Sequence, residues 1–174
     1  FHQDGTATNL YPPNQTSYAY GVSSAGEIVG AVKTSNSDPS PNVDFGSLFD
    51  GSGGVSSLGQ LETGLATIAL DANSEGVIVG FGDTPLQRSA VVFDRDTGTV
   101  VPLADRLEAN HSGIWILETA YAVNESGQIV GGGKRNPGTM TGYILTPVPE
   151  PNAILLGLAA LTVIPALARR RTRA

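Results

Sequence analysis

The chain of 174 residues has no cysteine. Thiol nucleophiles, disulfides and cysteine-bearing metal sites are therefore excluded. Histidine is nearly as scarce: His2 and His111 are the only imidazoles, too far apart in sequence to form a metal-spaced pair. No Gly-x-Ser-x-Gly elbow is present to position a nucleophilic serine. Charged residues make up only 15%, and basic ones are few outside the C-terminus. Four of the ten (Arg169, Arg170, Arg171 and Arg173) lie in the last six positions, which leaves 6 bases against 16 acids, a body near −10. So acidic a body repels a phosphate backbone, and no nucleic-acid partner is expected.

What the chain has in quantity is glycine and proline, 22 and 11, set between short apolar runs. This patterning favours short strands and tight turns over helices. At 174 residues one domain with a packed core is the default. The chain opens at Phe1 with neither Met nor a basic-then-apolar leader, which is read as missing N-terminal sequence.

One stretch recurs three times. Ser23-Ser24-Ala25-Gly26-Glu27-Ile28-Val29-Gly30, Asn73-Ser74-Glu75-Gly76-Val77-Ile78-Val79-Gly80 and Asn124-Glu125-Ser126-Gly127-Gln128-Ile129-Val130-Gly131 are copies. Their first glycines are spaced 76 − 26 = 50 and 127 − 76 = 51 residues apart, a period of stacked or propeller-type repeats. Asn or Ser at the first place and Gly at the fourth predict a type I turn.

Four short strands follow in each repeat. In the first, covering about 18–61, they are 19–22, 27–32, 45–50 and 55–58. In the second, about 68–104, they are 68–70, 77–81, 90–93 and 99–103. The third, about 119–145, has strands at 120–123, 128–131 and 143–145 and lacks its fourth. Residues 1–10 read as the end of a further, partial repeat, since Phe1, Asp4-Gly5 and Leu10 parallel Phe49, Asp50-Gly51 and Leu58. Residues 104–109 are compatible with one helical turn. The expected fold is all-β: antiparallel four-stranded repeats, β-propeller-like and incomplete at about two and a half blades, over 1–146. A closed ring needs at least about four. Ile28-Val29 and Val77-Ile78-Val79 do not alternate with polar residues, so both faces of these strands are expected to be covered.

With Ala122-Val123-Asn124-Glu125-Ser126-Gly127-Gln128-Ile129-Val130-Gly131 as its best copy, the body resembles the extracellular HAF repeats. Leu58-Gly59 matches the Leu-Gly pair that closes that family's motif, whereas Leu103-Ala104 departs from it. The resemblance implies export and repeated β structure, and no established activity.

Several other constellations have a chemical and a structural reading. Asp94-Arg95-Asp96-Thr97-Gly98 begins like a calcium loop, but Thr99 and Asp105 stand where that loop needs Gly and Glu, so a hairpin turn is preferred. Gly51-Ser52-Gly53-Gly54 lacks the Lys and following helix of a phosphate cradle and reads as a turn. Trp115, Tyr18, Tyr20 and Tyr121 could form a sugar-stacking platform, but core or inter-blade packing is the preferred reading. Asn14-Gln15-Thr16 and Asn110-His111-Ser112 match the glycosylation pattern, which a bacterial origin would make irrelevant.

The C-terminal region, 147–174, carries the most specific signal. Val148, Pro149, Glu150 and Pro151 precede an apolar span at 153–168, and Arg169, Arg170 and Arg171 close it as a basic stop. Its five Leu, two Ile and one Val favour insertion as a transmembrane helix by about 2.4 to 5 kcal/mol. The arginines then stay on the cytoplasmic side and the repeats outside. This three-part order resembles the PEP-CTERM sorting signal of exopolysaccharide-producing Gram-negative bacteria. The resemblance implies an exosortase, a membrane protease, as partner. It also implies cleavage near the motif, inner-membrane anchoring before processing, and delivery to the cell surface or extracellular matrix. Extracellular polysaccharide is a further expected partner. No catalytic residue, cofactor or metal is assigned.

Overall fold

The structure, a computed structural model, describes residues 7–10, 16–33, 44–63, 65–108, 113–135 and 138–148. The apolar span 153–168, most of the partial repeat at 1–10, and both histidines lie outside these residues. Residues 7–10 form no strand.

The described chain is all-β, with three antiparallel sheets. The first contains β1 (Ser17–Val22), β2 (Ile28–Lys33), β3 (Asp44–Phe49) and β4 (Val55–Ser57), in that order. The second contains β5 (Thr67–Ala72), β6 (Ile78–Asp83), β7 (Arg88–Asp94) and β8 (Thr99–Pro102). The third has three strands, β9 (Trp115–Val123), β10 (Ile129–Arg135) and β11 (Met140–Leu145). A 3-10 turn at Leu103–Arg106 joins the second sheet to the third; it overlaps the first half of the span 104–109 where one helical turn was expected and begins one residue before it. Among the described residues the sheets close neither a barrel nor a propeller ring.

Each repeated turn has the same bonding. The Gly26, Gly76 and Gly127 N–H groups donate to the carbonyls of Ser23, Asn73 and Asn124 at 2.9, 3.2 and 2.9 Å. The N–H of that first residue then donates to the carbonyl of Glu27, Val77 or Gln128. This is a type I turn completed by a left-handed glycine, with φ of 85°, 80° and 73°. The first side chain caps the loop: Asn73 Oδ1 accepts from the Val77 N–H and Asn124 Oδ1 from the Gln128 N–H, both at 2.9 Å, and Ser23 Oγ from the Glu27 N–H at 3.1 Å.

The glycine that ends each copy has a different task. The first strand of every sheet carries a bulge opposite it, at Tyr20, Leu70 and Tyr121. A Cβ added to Gly30, Gly80 or Gly131 would overlap the carbonyl oxygen of Tyr18, Ile68 or Thr119 on the neighbouring strand. No side chain fits there.

The sheets stack with a fixed polarity. Val29 on the first sheet packs with Ile78, Ala72, Val91 and Phe93 of the second. Val79 and Ala90, on the second sheet's other face, pack with Ala120, Val123, Ile129 and Tyr143 of the third. We call the Val29/Val79/Val130 side of each sheet its forward face and the Ile28/Ile78/Ile129 side its rear face. Forward packs on rear twice, and Leu58 and Leu103, beyond the fourth strands, join the two clusters. Fully burying one such valine or isoleucine stabilises by about 1.5–3 kcal/mol. Both faces of the second sheet are covered; in the first, Val29 is buried on the forward face and Phe49 and Ser47 on the rear. The first leaves Val22 exposed, and the third leaves Tyr121, Val130, Met140 and Ile144 exposed.

These two glycine roles separate experimentally. Gly76→Ala keeps the space but forces alanine into the left-handed region, at a cost of about 1–2 kcal/mol. Gly80→Ala drives a methyl into the Ile68 carbonyl and should cost more, with loss of the bulge. Thermal unfolding of the two variants is expected to rank Gly80→Ala below Gly76→Ala, and both below the parent.

Candidate functional site

The turns that recur along the sequence also meet in space. Glu125, second residue of the third turn, accepts from Ser24 Oγ of the first turn at 2.7 Å and from the Ser74 N–H of the second at 3.0 Å. Ser74 Oγ donates to the same carboxylate. Buried Asn73 donates from Nδ2 to the Asn124 carbonyl at 3.0 Å, and Asp71 Oδ2 accepts from the Val123 N–H at 2.9 Å. Arg95, on the β7–β8 hairpin, reaches back to pair with Glu27 of the first turn. One rim is thus a polar knot to which all three repeats contribute.

The hydroxyl of Ser74, then that of Ser24, then the Ser74 N–H hold the Glu125 carboxyl below its ordinary value. The outer hairpins use carboxylates in the same way. Asp94 Oδ1 accepts from the N–H groups of Thr97 and Asp96 at 3.1 and 3.0 Å, and Gly98 closes the turn at φ 67°. Asp50 Oδ1 accepts from Ser52 and Gly54, both at 2.8 Å. Backbone donors, Thr97 first for Asp94 and Ser52 first for Asp50, lower both carboxyls. Asp94-Arg95-Asp96 and Gly51–Gly54 are therefore hairpin turns, the preferred of their two readings. No His, Asp and Glu cluster suited to a metal occurs among the described residues.

The four aromatics do not assemble into one platform. Tyr18 and Tyr20 stack on each other, 6.0 Å between ring centroids and 16° between planes. Tyr121 lies on the third sheet, where it and Met140 cover Gly132. The core-packing reading fails for these three tyrosines, all of them exposed. Their bulged or edge positions on β1 and β9 turn the rings to solvent. Trp115 is different: it opens β9 and is half-buried against the core beneath the third sheet. There it lines a hollow of about 660 Å³ with Leu103, Leu107, Leu117, Tyr143 and Leu145, edged by Arg106 and Glu108. The hollow sits along β11, which among the described residues has no fourth strand beside it. The sequence pattern singles out Trp115 but not the hollow, whose walls come from four separate segments. Tyr143 closes its floor, donating from its hydroxyl to the Thr119 carbonyl at 2.9 Å. Burial, then the nearby Tyr121, pushes its phenol far above the usual range, so it stays protonated.

Of the sorting-motif residues, Val148 is exposed beyond β11 at the mouth of the hollow. Pro149, Glu150, Pro151, Arg169, Arg170 and Arg171 lie outside the described residues. Among the described residues no helix is long and apolar enough to cross a membrane. No family model, no curated protein and no solved structure matches the chain.

The knot predicts an acid response. Because the folded-state value of Glu125 is depressed, its contribution is present above the unfolded value near 4.5 and is lost as pH falls through the folded one. Glu125→Gln should lower the unfolding temperature at neutral pH. The gap to the parent should then narrow as pH drops below about 4.5, as followed by circular dichroism. Asn73→Ala strips the Val77 N–H and Asn124 carbonyl of partners and should cost about 1–3 kcal/mol at every pH. Asn73→Ser keeps the cap, as Ser23 does, and should recover part of the loss.

Proposed function

We propose that this chain is an exported, surface-associated repeat protein. Its role is structural or adhesive within an extracellular polysaccharide layer. The observation that carries the reading is the order Val148-Pro149-Glu150-Pro151, apolar span 153–168, then Arg169-Arg170-Arg171. An apolar stretch with no polar face is satisfied in a bilayer and leaves an exposed rod on a soluble body. The tail is an address, read by an exosortase-type protease and removed. The inner membrane anchors the chain only until then.

In the same reading the three sheets are blades of an open, propeller-like stack. The chain works by binding, without catalysis. In support, the carboxylates of Asp50, Asp94 and Glu125 are engaged by turns and by the inter-repeat knot. A narrower form of the reading makes the stack a carbohydrate-binding module. The hollow at Trp115 favours it, because an aromatic wall with an Arg and a Glu at its edge suits a sugar ring, and about 660 Å³ is ordinary for a ligand pocket.

Two measurements test these statements. Intact mass of surface protein from a host carrying an exosortase is expected to lack 169–174. Replacing Pro149, Glu150 and Pro151 with alanine should hold uncut chain in the membrane with the repeats still folded. Terminal arginines on the mature form would reduce the tail to a plain anchor. For the narrower reading, Trp115→Ala should abolish retention on immobilised exopolysaccharide, while Tyr18→Ala leaves it unchanged. Equal retention of the parent and Trp115→Ala would remove the sugar site.

A further inference from the structure

The lining of the hollow at Trp115 does not suit bare hydroxyls. Leu103, Leu107, Leu117, Ile129 and Leu145 wall it, beside the rings of Trp115 and Tyr143. Its two side-chain hydroxyls are engaged within the protein. That of Tyr143 donates to the Thr119 carbonyl at 2.9 Å, and Thr146 Oγ accepts from Gln128 Nε2 at 3.4 Å. The charged groups stand at the edge, where Arg106 and Glu108 are both exposed. A ligand hydroxyl carried inside exchanges water for leucine, and each one left unpaired costs about tenfold or more in affinity.

Charge does not offset that loss. The chain carries 16 acids against 10 bases, and four of the bases lie in the last six positions. The acidic repeats repel a polyanion, so a sugar chain is held by neutral contacts. The volume, about 660 Å³, is that of an ordinary ligand pocket and leaves room for a ring and a substituent on it.

We infer that the hollow takes an acylated sugar, a ring that carries an O-acetyl or similar short acyl ester and is seated by it. The acyl methyl enters among Leu107, Leu117 and Leu145, where it gains apolar contact and leaves water. The ester carbonyl needs a donor, which the Arg106 guanidinium supplies at the edge. The apolar face of the ring lies on Trp115, and the ring hydroxyls stay outward in water. This inference rests on the sugar reading of the hollow. It narrows that reading to sugars that an acidic surface can hold through neutral groups.

Trp115 is the single tryptophan of the chain, so its emission reports the hollow alone. The full chain is held in phosphatidylcholine vesicles, which seat the apolar tail. It is titrated with methyl glucoside and with the 6-O-acetyl ester of the same glucoside. The ester is expected to shift the emission to the blue and to bind at least about tenfold more tightly. Leu107→Asn puts an amide on the wall and should bring the two probes close together in affinity. The parent titration decides by itself if that variant fails to fold. On the polymer, mild alkali strips the acetyl esters from an immobilised O-acetylated exopolysaccharide, and retention of the parent should be lost. Equal, Trp115-dependent binding of the two glucosides would leave the sugar reading standing and overturn the acyl one. No response to either probe would overturn both. Ethyl acetate binding as tightly as the acetylated glucoside would make the ring irrelevant and overturn the assignment to a sugar.

Discussion

The rest of the structure depends on a close approach of two backbones, made three times. At Gly30, Gly80 and Gly131 the second strand of each sheet passes so near a bulged carbonyl of the first that no Cβ fits. The bulge adds one residue to the first strand and increases its twist. Tyr20, Leu70 and Tyr121 are the extra residues. Four residues before each of these glycines stands the glycine that closes the turn with positive φ. The two glycines together fix where the hairpin turns and how its strands coil. Every sheet then presents the same pair of faces to its neighbours, which makes stacking of copies possible.

Much of this was legible in the sequence. Repeats of about 50 residues, glycines far apart but equivalent, and apolar pairs bounded by glycine located the strands of the first two sheets closely. They also anticipated the three-stranded last sheet. Its strands are longer than expected, and β9 differs most, beginning at Trp115 rather than near Ala120. Trp115, Ile116 and Leu117 pair with Arg135, Lys134 and Gly133 of an equally extended β10, and nothing in the repeat period announces that extension. Expected coverage on both faces held for Ile78 and Val79, and in the first sheet for Val29, with Ile28 only half-buried. Lack of alternation identifies a strand able to be covered twice, but the number of neighbours depends on its place in the stack. The knot at Glu125 was not legible either. Its partners lie 51 and 101 residues away, and Ser24 and Ser74 look like ordinary turn residues until the three turns meet.

The hollow at Trp115 and the open forward face are two consequences of one fact. Among the described residues the third sheet has neither a fourth strand nor a covering sheet. In the first two sheets a fourth strand is followed by a buried leucine, Leu58 or Leu103, that seals the outer end of the core. The third has no such leucine among the described residues, and the apolar walls that would hold one line the hollow instead. These walls and the forward face open in different directions, along the strand edge and across the sheet.

The differences between the repeats match the contacts their turns make with one another. At the second turn position stand Ser24, Ser74 and Glu125. Three serines would leave no carboxylate to accept their hydrogen bonds. Three glutamates would crowd like charges at one rim. One acid against two hydroxyls satisfies all three turns, and does so only with the acid in the third place, where both hydroxyls reach it. Asn73 likewise uses both ends of its amide, capping its own turn and bonding the next, a role Ser23 cannot extend to the second repeat. The repeats have diverged where their turns touch and stayed alike where their sheets stack. The apolar faces carry the polarity of the stack. The polar rim carries the identity and order of these three repeats.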